Sequence, residues 1–159
     1  MKINLLLISG VFLVSACQNK EQAQVETLEK EVMMIHDAVM PKMGELVVLE
    51  GSISKKITQL DSLLQITPND TTFQQSLNQS LQLASKLRKA DEDMMNWMHE
   101  YKGDSLKKLP APQAIQAFTQ EKITIEQVSD DMLKSIEQAQ NFIKQYTKNQ
   151  WNTLFLSSF

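Results

Sequence analysis

A chain of 159 residues with 16 Lys+Arg against 19 Asp+Glu has the length of one domain and a net charge of −3. That balance argues against nucleic acid as a partner, because gripping phosphates takes a basic patch and none occurs along the sequence. With Cys17 as the single cysteine, an internal disulfide and a cysteine metal cluster are both excluded, so stability has to come from packing.

The first residues have the three parts of an export signal: a cation at Lys2, an apolar run from Leu5 to Val14, and small residues before a cut site. The run is too short to span a bilayer, which takes roughly 20 apolar residues. Val14-Ser15-Ala16-Cys17 resembles a lipobox, in which the cysteine thiol takes a diacylglyceryl group and becomes the acylated N-terminus after cleavage. Residues 1–16 are therefore expected to be removed, Cys17 to be lipidated, and the membrane to be a partner through that lipid. What is left is 143 of the 159 residues, with 15 Lys+Arg against 19 Asp+Glu once Lys2 is gone. Residues 17–24, polar and without an apolar period after Cys17, read as a tether.

A helical signal starts at Val25 and continues to residue 149. Val25, Val32, Val39, Leu46, Ile53 and Leu60 recur every seven residues, and Leu28, Ile35, Leu49 and Leu63 follow three positions after most of them. This is an a/d heptad seam, interrupted at d only by Lys42 and Lys56. Gly44 and Gly51 fall on the outward f position. Pro41 lacks an N–H and clashes with the carbonyl of Asp37, which predicts a kink near Met40.

Ile66 to Asp70 is a turn cluster, and Thr71 with Gln74 reads as a capping box opening a second helix. Phe73, Leu77, Leu81, Ala84, Leu87, Met94, Met98 and Tyr101 are its predicted apolar face, with Gly103 as C-cap. Leu109 to Pro112 is a stiff connector, and Pro112 suits the first turn of a third helix whose stripe is Phe118, Ile125, Val128, Met132, Ile136, Ala139, Ile143 and Tyr146. Three amphipathic helices joined by short loops predict an all-α, antiparallel three-helix up-down-up bundle. Residues 150–159 form an apolar aromatic tail without clear period, expected to cap the bundle or to offer a contact.

Chemistry-bearing residues concentrate in two windows. One holds Met33, Met34, His36, Met40 and Met43; the other holds Met94, Met95, Met98 and His99, with Trp97 and Tyr101. A hairpin turning near Pro68 brings the windows to one layer, with His36 meeting His99 or its neighbours and Met40 meeting Met95 or Met98. The expected role is core filling, since methionine packs adaptably beside aromatics. The alternative is a soft-metal site for Cu(I), with Met33, His36, Met40, Met43, Met95, Met98 and His99 as ligands. His36-Asp37 and His99-Glu100 are neighbours expected to point to different sides of a helix, so neither is an acid–base dyad. No His-Glu-x-x-His, Gly-x-Ser-x-Gly or phosphate-binding loop occurs, and the acidic runs Asp91-Glu92-Asp93 and Asp130-Asp131 read as solvated faces. The sequence predicts a non-enzyme without a cofactor, a structural or protein-interaction module with a partner in the envelope.

The segments His36 to Leu46, Met94 to Tyr101 and Asp131 to Glu137 resemble a group of small Bacteroidota lipoproteins known as "viral A-type inclusion protein". The likeness covers roughly residues 25–143. It implies helices and a lipid anchor, and no substrate or catalytic residue. Gln18 stands where aspartate would resemble an inner-membrane retention signal, so likeness to other lipoproteins favours the outer membrane, on either of its faces.

Overall fold

The computed structural model describes residues 12–156, with side chains over 20–147. Helix α1 (Phe12–Val39) passes through one 3-10 turn (Met40–Lys42) into α2 (Met43–Ile66); α3 (Thr71–Glu100), the single-turn α4 (Gly103–Leu106) and α5 (Ala111–Leu156) follow. Among the described residues there is no strand. The expected kink at Pro41 takes the form of the 3-10 turn, which tightens the helix where Pro41 cannot donate a hydrogen bond. Residues 18–24, read from their polarity as a tether, are helical and continuous with α1, and α5 likewise runs unbroken across residue 150. Residues 1–11 of the export segment, the Cys17 side chain and the side chains of the aromatic tail lie outside the described residues.

The helices run up, down and up. α5 is parallel to α1 and α2: Lys122 reaches Glu31, and further along Gln140 donates to Glu45. α3 is antiparallel to both, with Trp97 bonded to Glu121 and Lys86 to Gln138. α5, with 46 residues, is roughly 70 Å long and lies beside both α1 and α2. α3 is shorter and pairs with α2, and the connector after it packs on α5 and is tied to α1 where the Lys107 ammonium meets Glu29 at 2.8 Å, with Asp104 at 3.1 Å.

The a-position seam is buried throughout. Val25, Val32, Val39, Leu46, Ile53 and Leu60 are each no more than 2% exposed, on both sides of the 3-10 turn. Facing them are Leu83, Leu87, Ala90, Met94 and Trp97 from α3 and Ala114, Phe118, Ile125, Val128, Met132, Ile136, Ala139 and Phe142 from α5. Lys42 and Lys56, the two d-position exceptions, avoid the core differently. Lys42 is exposed and pairs with Glu45 at 3.0 Å. Lys56 lays its ammonium 3.0 Å from the centre of the Tyr146 ring, and its partial burial lowers its pKa.

Three expectations for α3 are corrected. Its N-cap is Asp70, not Thr71: Asp70 Oδ1 accepts from the amides of Thr72 (2.8 Å) and Phe73 (3.0 Å), while Gln74 donates to the carbonyl of Pro68 instead of closing a capping box. Leu81 is half exposed, and the core position beside it belongs to the fully buried Ser80, whose hydroxyl donates to the carbonyl of Ser76 at 2.8 Å. Gly103 is no C-cap, because α3 closes on Tyr101 in an extended conformation and Gly103, with no positive φ, starts α4. Pro110 and Pro112 act as expected: the Pro110 carbonyl accepts from Gln113 and Ala114, and Pro112 sits in the first turn of α5.

Candidate functional site

His36 occupies an e position of the α1 heptad, on the side turned toward α3. Its ring lies 5.4 Å from that of Trp97, tilted by 33°, and Trp97 in turn stacks on Tyr101 at 4.9 Å and 27°. Trp97 and Tyr101 are four residues apart on one face of α3 and its cap, and His36 extends the column from the neighbouring helix. Trp97 Nε1 donates to Glu121 Oε2 at 3.0 Å, tying the column to α5. A shallow cleft lined by Glu29, Tyr101, Lys102, Gly103, Asp104 and Ser105 opens at its end.

The pair His36-Asp37 corrects the expectation that adjacent residues diverge. Asp37 curls back so that its carboxylate accepts from His36 Nδ1 at 2.9 Å. A carboxylate only accepts, so Nδ1 carries the proton and the lone pair of the neutral ring is on Nε2. That Nε2 is buried without a hydrogen-bond partner, as is the Tyr101 hydroxyl. Burial, then Glu29 and Glu121, push the Tyr101 pKa up to about 12 against an opposing pull from Lys107. Lys107, bonded to Glu29 and Asp104, is itself raised.

The methionine/histidine windows are brought to one level of the bundle, but not as a closed set. His36 meets Trp97, the neighbour of Met98, and not His99. Met40, Met43 and Met98 are partly buried against the core, and Met94 is wholly inside it. Met33 is half-buried, whereas Met34, Met95 and His99 are exposed, the last two on the outer side of α3. Among the described residues no three His, Cys, Asp or Glu side chains are grouped for a metal ion. Sequence reasoning placed Tyr101 on the apolar face of the second helix and noted Trp97 beside the second window without giving it a role. Glu29 and Glu121 carried no signal, because each acts across a tertiary contact at wide sequence separation, and Gly103, read as a C-cap, instead makes room for the Tyr101 ring two residues before it.

No family model matches the chain, and no curated protein or solved structure matches it.

Proposed function

We propose that this chain is a lipid-anchored helical module of the bacterial envelope, acting by contact and not by catalysis. The observation that carries the reading is the signal Lys2, Leu5 to Val14 and Val14-Ser15-Ala16-Cys17. Among the described residues no helix is long and apolar enough to cross a membrane. In this reading the acyl chains on Cys17 hold the bundle to the bilayer, each buried methylene contributing about 0.8 kcal/mol. Gln18 directs the anchor to the outer membrane. Cys17→Ser is expected to abolish acylation, seen as loss of the lipid mass at the N-terminus, and to release the chain from membranes. A Cys17→Ser protein that still fractionates with the membrane overturns the anchor.

A second reading, Cu(I) binding, is favoured by one observation: His36 is held by a carboxylate at Nδ1 with Nε2 unpartnered, the arrangement of many metal-bound imidazoles, and Met40, Met43 and Met98, on the turns that follow His36 and beside Trp97, are partly buried against the core. An anaerobic Cu(I) titration against a competing chelator decides it, with Met40→Leu/Met98→Leu as comparison. Equal, weak binding by both proteins removes copper from consideration.

A further inference from the structure

The outward face of the first long helix is the surface the bundle leaves unused. The seam at a stays buried across the 3-10 turn, so the c and f positions form one continuous exposed face, widened by b from Val47 onward, while Met33 and Met40 at b are partly buried. In its middle this face carries no charge: Pro41, Gly44, Val47, Val48 and Gly51 follow one another, and Val47 and Val48 are 57% and 68% exposed. Neither glycine is there for want of room, since a Cβ on Gly44 or Gly51 would meet nothing within 4 Å. Exposed valines between two glycines make ridges with matching hollows, which bring a second helix close.

The charges say which helix. Between residues 25 and 65 the b, c and f positions hold five charged side chains, all exposed: Glu26 at the end, opposite no charge in the pairing that follows, and then the four inner ones, Lys30, Asp37, Lys55 and Asp61. Their order is plus, minus, apolar centre, plus, minus. Read backwards, the signs invert. A second copy laid antiparallel about a two-fold axis near residue 46 therefore sets Lys30 against Asp61 and Asp37 against Lys55, while Gly44 receives Val48 and Pro41 faces Gly51. A parallel copy in register sets every charge against its like. Among the described residues Lys30, Lys55 and Asp61 have no ion-pair partner within their own chain.

We infer that this face is the contact of an isologous, antiparallel homodimer, a second copy of the chain being the partner whose charge order complements it. With the axis near residue 46 the two Cys17 ends stand roughly 85 Å apart along the helices, so both lipids of the anchor proposed above reach one bilayer only when the dimer lies flat along it, its two-fold axis along the membrane normal. The test is cysteine cross-linking with a short bismaleimide in cells expressing the full-length chain, the unmodified chain serving as control for Cys17. Val48→Cys, close to the axis, is expected to give a covalent dimer. Met34→Cys should not link to itself but should link to a co-expressed Thr58→Cys chain. Asp37→Lys is expected to lower the Val48→Cys dimer by about tenfold, since symmetry makes each pair count twice, and Asp37→Lys/Lys55→Asp to restore it. Gly51→Leu, which has room in the single copy, should keep the helical circular dichroism and lose the dimer. The inference is overturned by a Val48→Cys chain that stays monomeric or links only to other proteins. Met34→Cys self-linking as efficient as that of Val48→Cys, or a charge swap that restores nothing, overturns it equally.

Discussion

Gly103 shows how one missing methyl group fixes a local arrangement. A Cβ built there would stand 2.8 Å from the Tyr101 hydroxyl and 3.0 Å from the ring carbons behind it, and the ring cannot swing away freely because it is stacked on Trp97. Gly103→Ala is therefore expected to destabilise the fold by about 1–3 kcal/mol, the usual scale of overpacking. Tyr101→Phe removes a buried hydroxyl that has no partner, keeps the stack, and should be neutral or mildly stabilising. The two changes should couple in urea unfolding, the alanine being tolerated better in the phenylalanine background; strict additivity would show that the hydroxyl is not the atom in the way. Tyr101 also carries a pH signature. Its pKa rises from 10.0 to about 12 on folding, so the fold favours the neutral phenol. That contribution is fully present below pH 10 and is lost as the pH climbs from 10 to about 12. Wild type should lose stability across this window more steeply than Tyr101→Phe, and equal slopes would show that Tyr101 titrates alike in both states.

The elements show where sequence reasoning holds and where it slips. All six a positions of the first long helix are buried as the seven-residue repeat predicts, because a heptad of branched apolar residues leaves no other face to bury. On α3 the same repeat exists, running through Phe73, Ser80, Leu87, Met94 and Tyr101, but Ser80 hides it. A serine at a core position reads as polar, and the predicted stripe drifted to Leu81 because nothing in the sequence announces that the hydroxyl is satisfied by its own helix, through Ser76. The cap was misread for a similar reason: Asp70, Thr71 and Thr72 are all competent, and only backbone geometry selects Asp70. Asp70→Ala should accordingly cost about 0.5–2 kcal/mol, and Thr71→Ala next to nothing. Thermal melts of the two variants check this, and the reverse order would reinstate the capping box. The candidate site was legible only in part. Spacing brings the two windows to one level, but which side chains of a window face inward depends on helix rotation, and that rotation places Met95 and His99 outside and Trp97 against His36.

At the scale of the whole molecule the question is whether the 3-10 turn at Met40–Lys42 divides the bundle. Pro41 removes a hydrogen bond there, and the two halves of the first long helix have different neighbours, α1 lying mainly on α5, α2 on α3 and α5. Two features oppose a division. The buried seam passes the turn without a gap, with Val39 and Leu46 both inside one apolar cluster. α5 runs unbroken across the turn and is bonded to the first helix on either side of it, through Glu31 to Lys122 and Glu45 to Gln140. A helix shared by both halves makes opening one of them strip apolar surface from the other, so the molecule should unfold as one unit. The chain has two tryptophans, and Trp151→Phe leaves Trp97 as the sole reporter of the His36 end. In that background Trp97 fluorescence and far-ultraviolet circular dichroism should trace the same urea transition. Leu46→Ala, on the α2 side, should shift both traces together by the roughly 2–5 kcal/mol of a truncated core leucine. Lys42→Leu, exposed four residues earlier, should shift neither by more than about 0.5 kcal/mol. If Leu46→Ala moved the circular dichroism while leaving the Trp97 transition in place, the turn at Pro41 would be a boundary between two folding units, and α5 a bridge that fails to couple them.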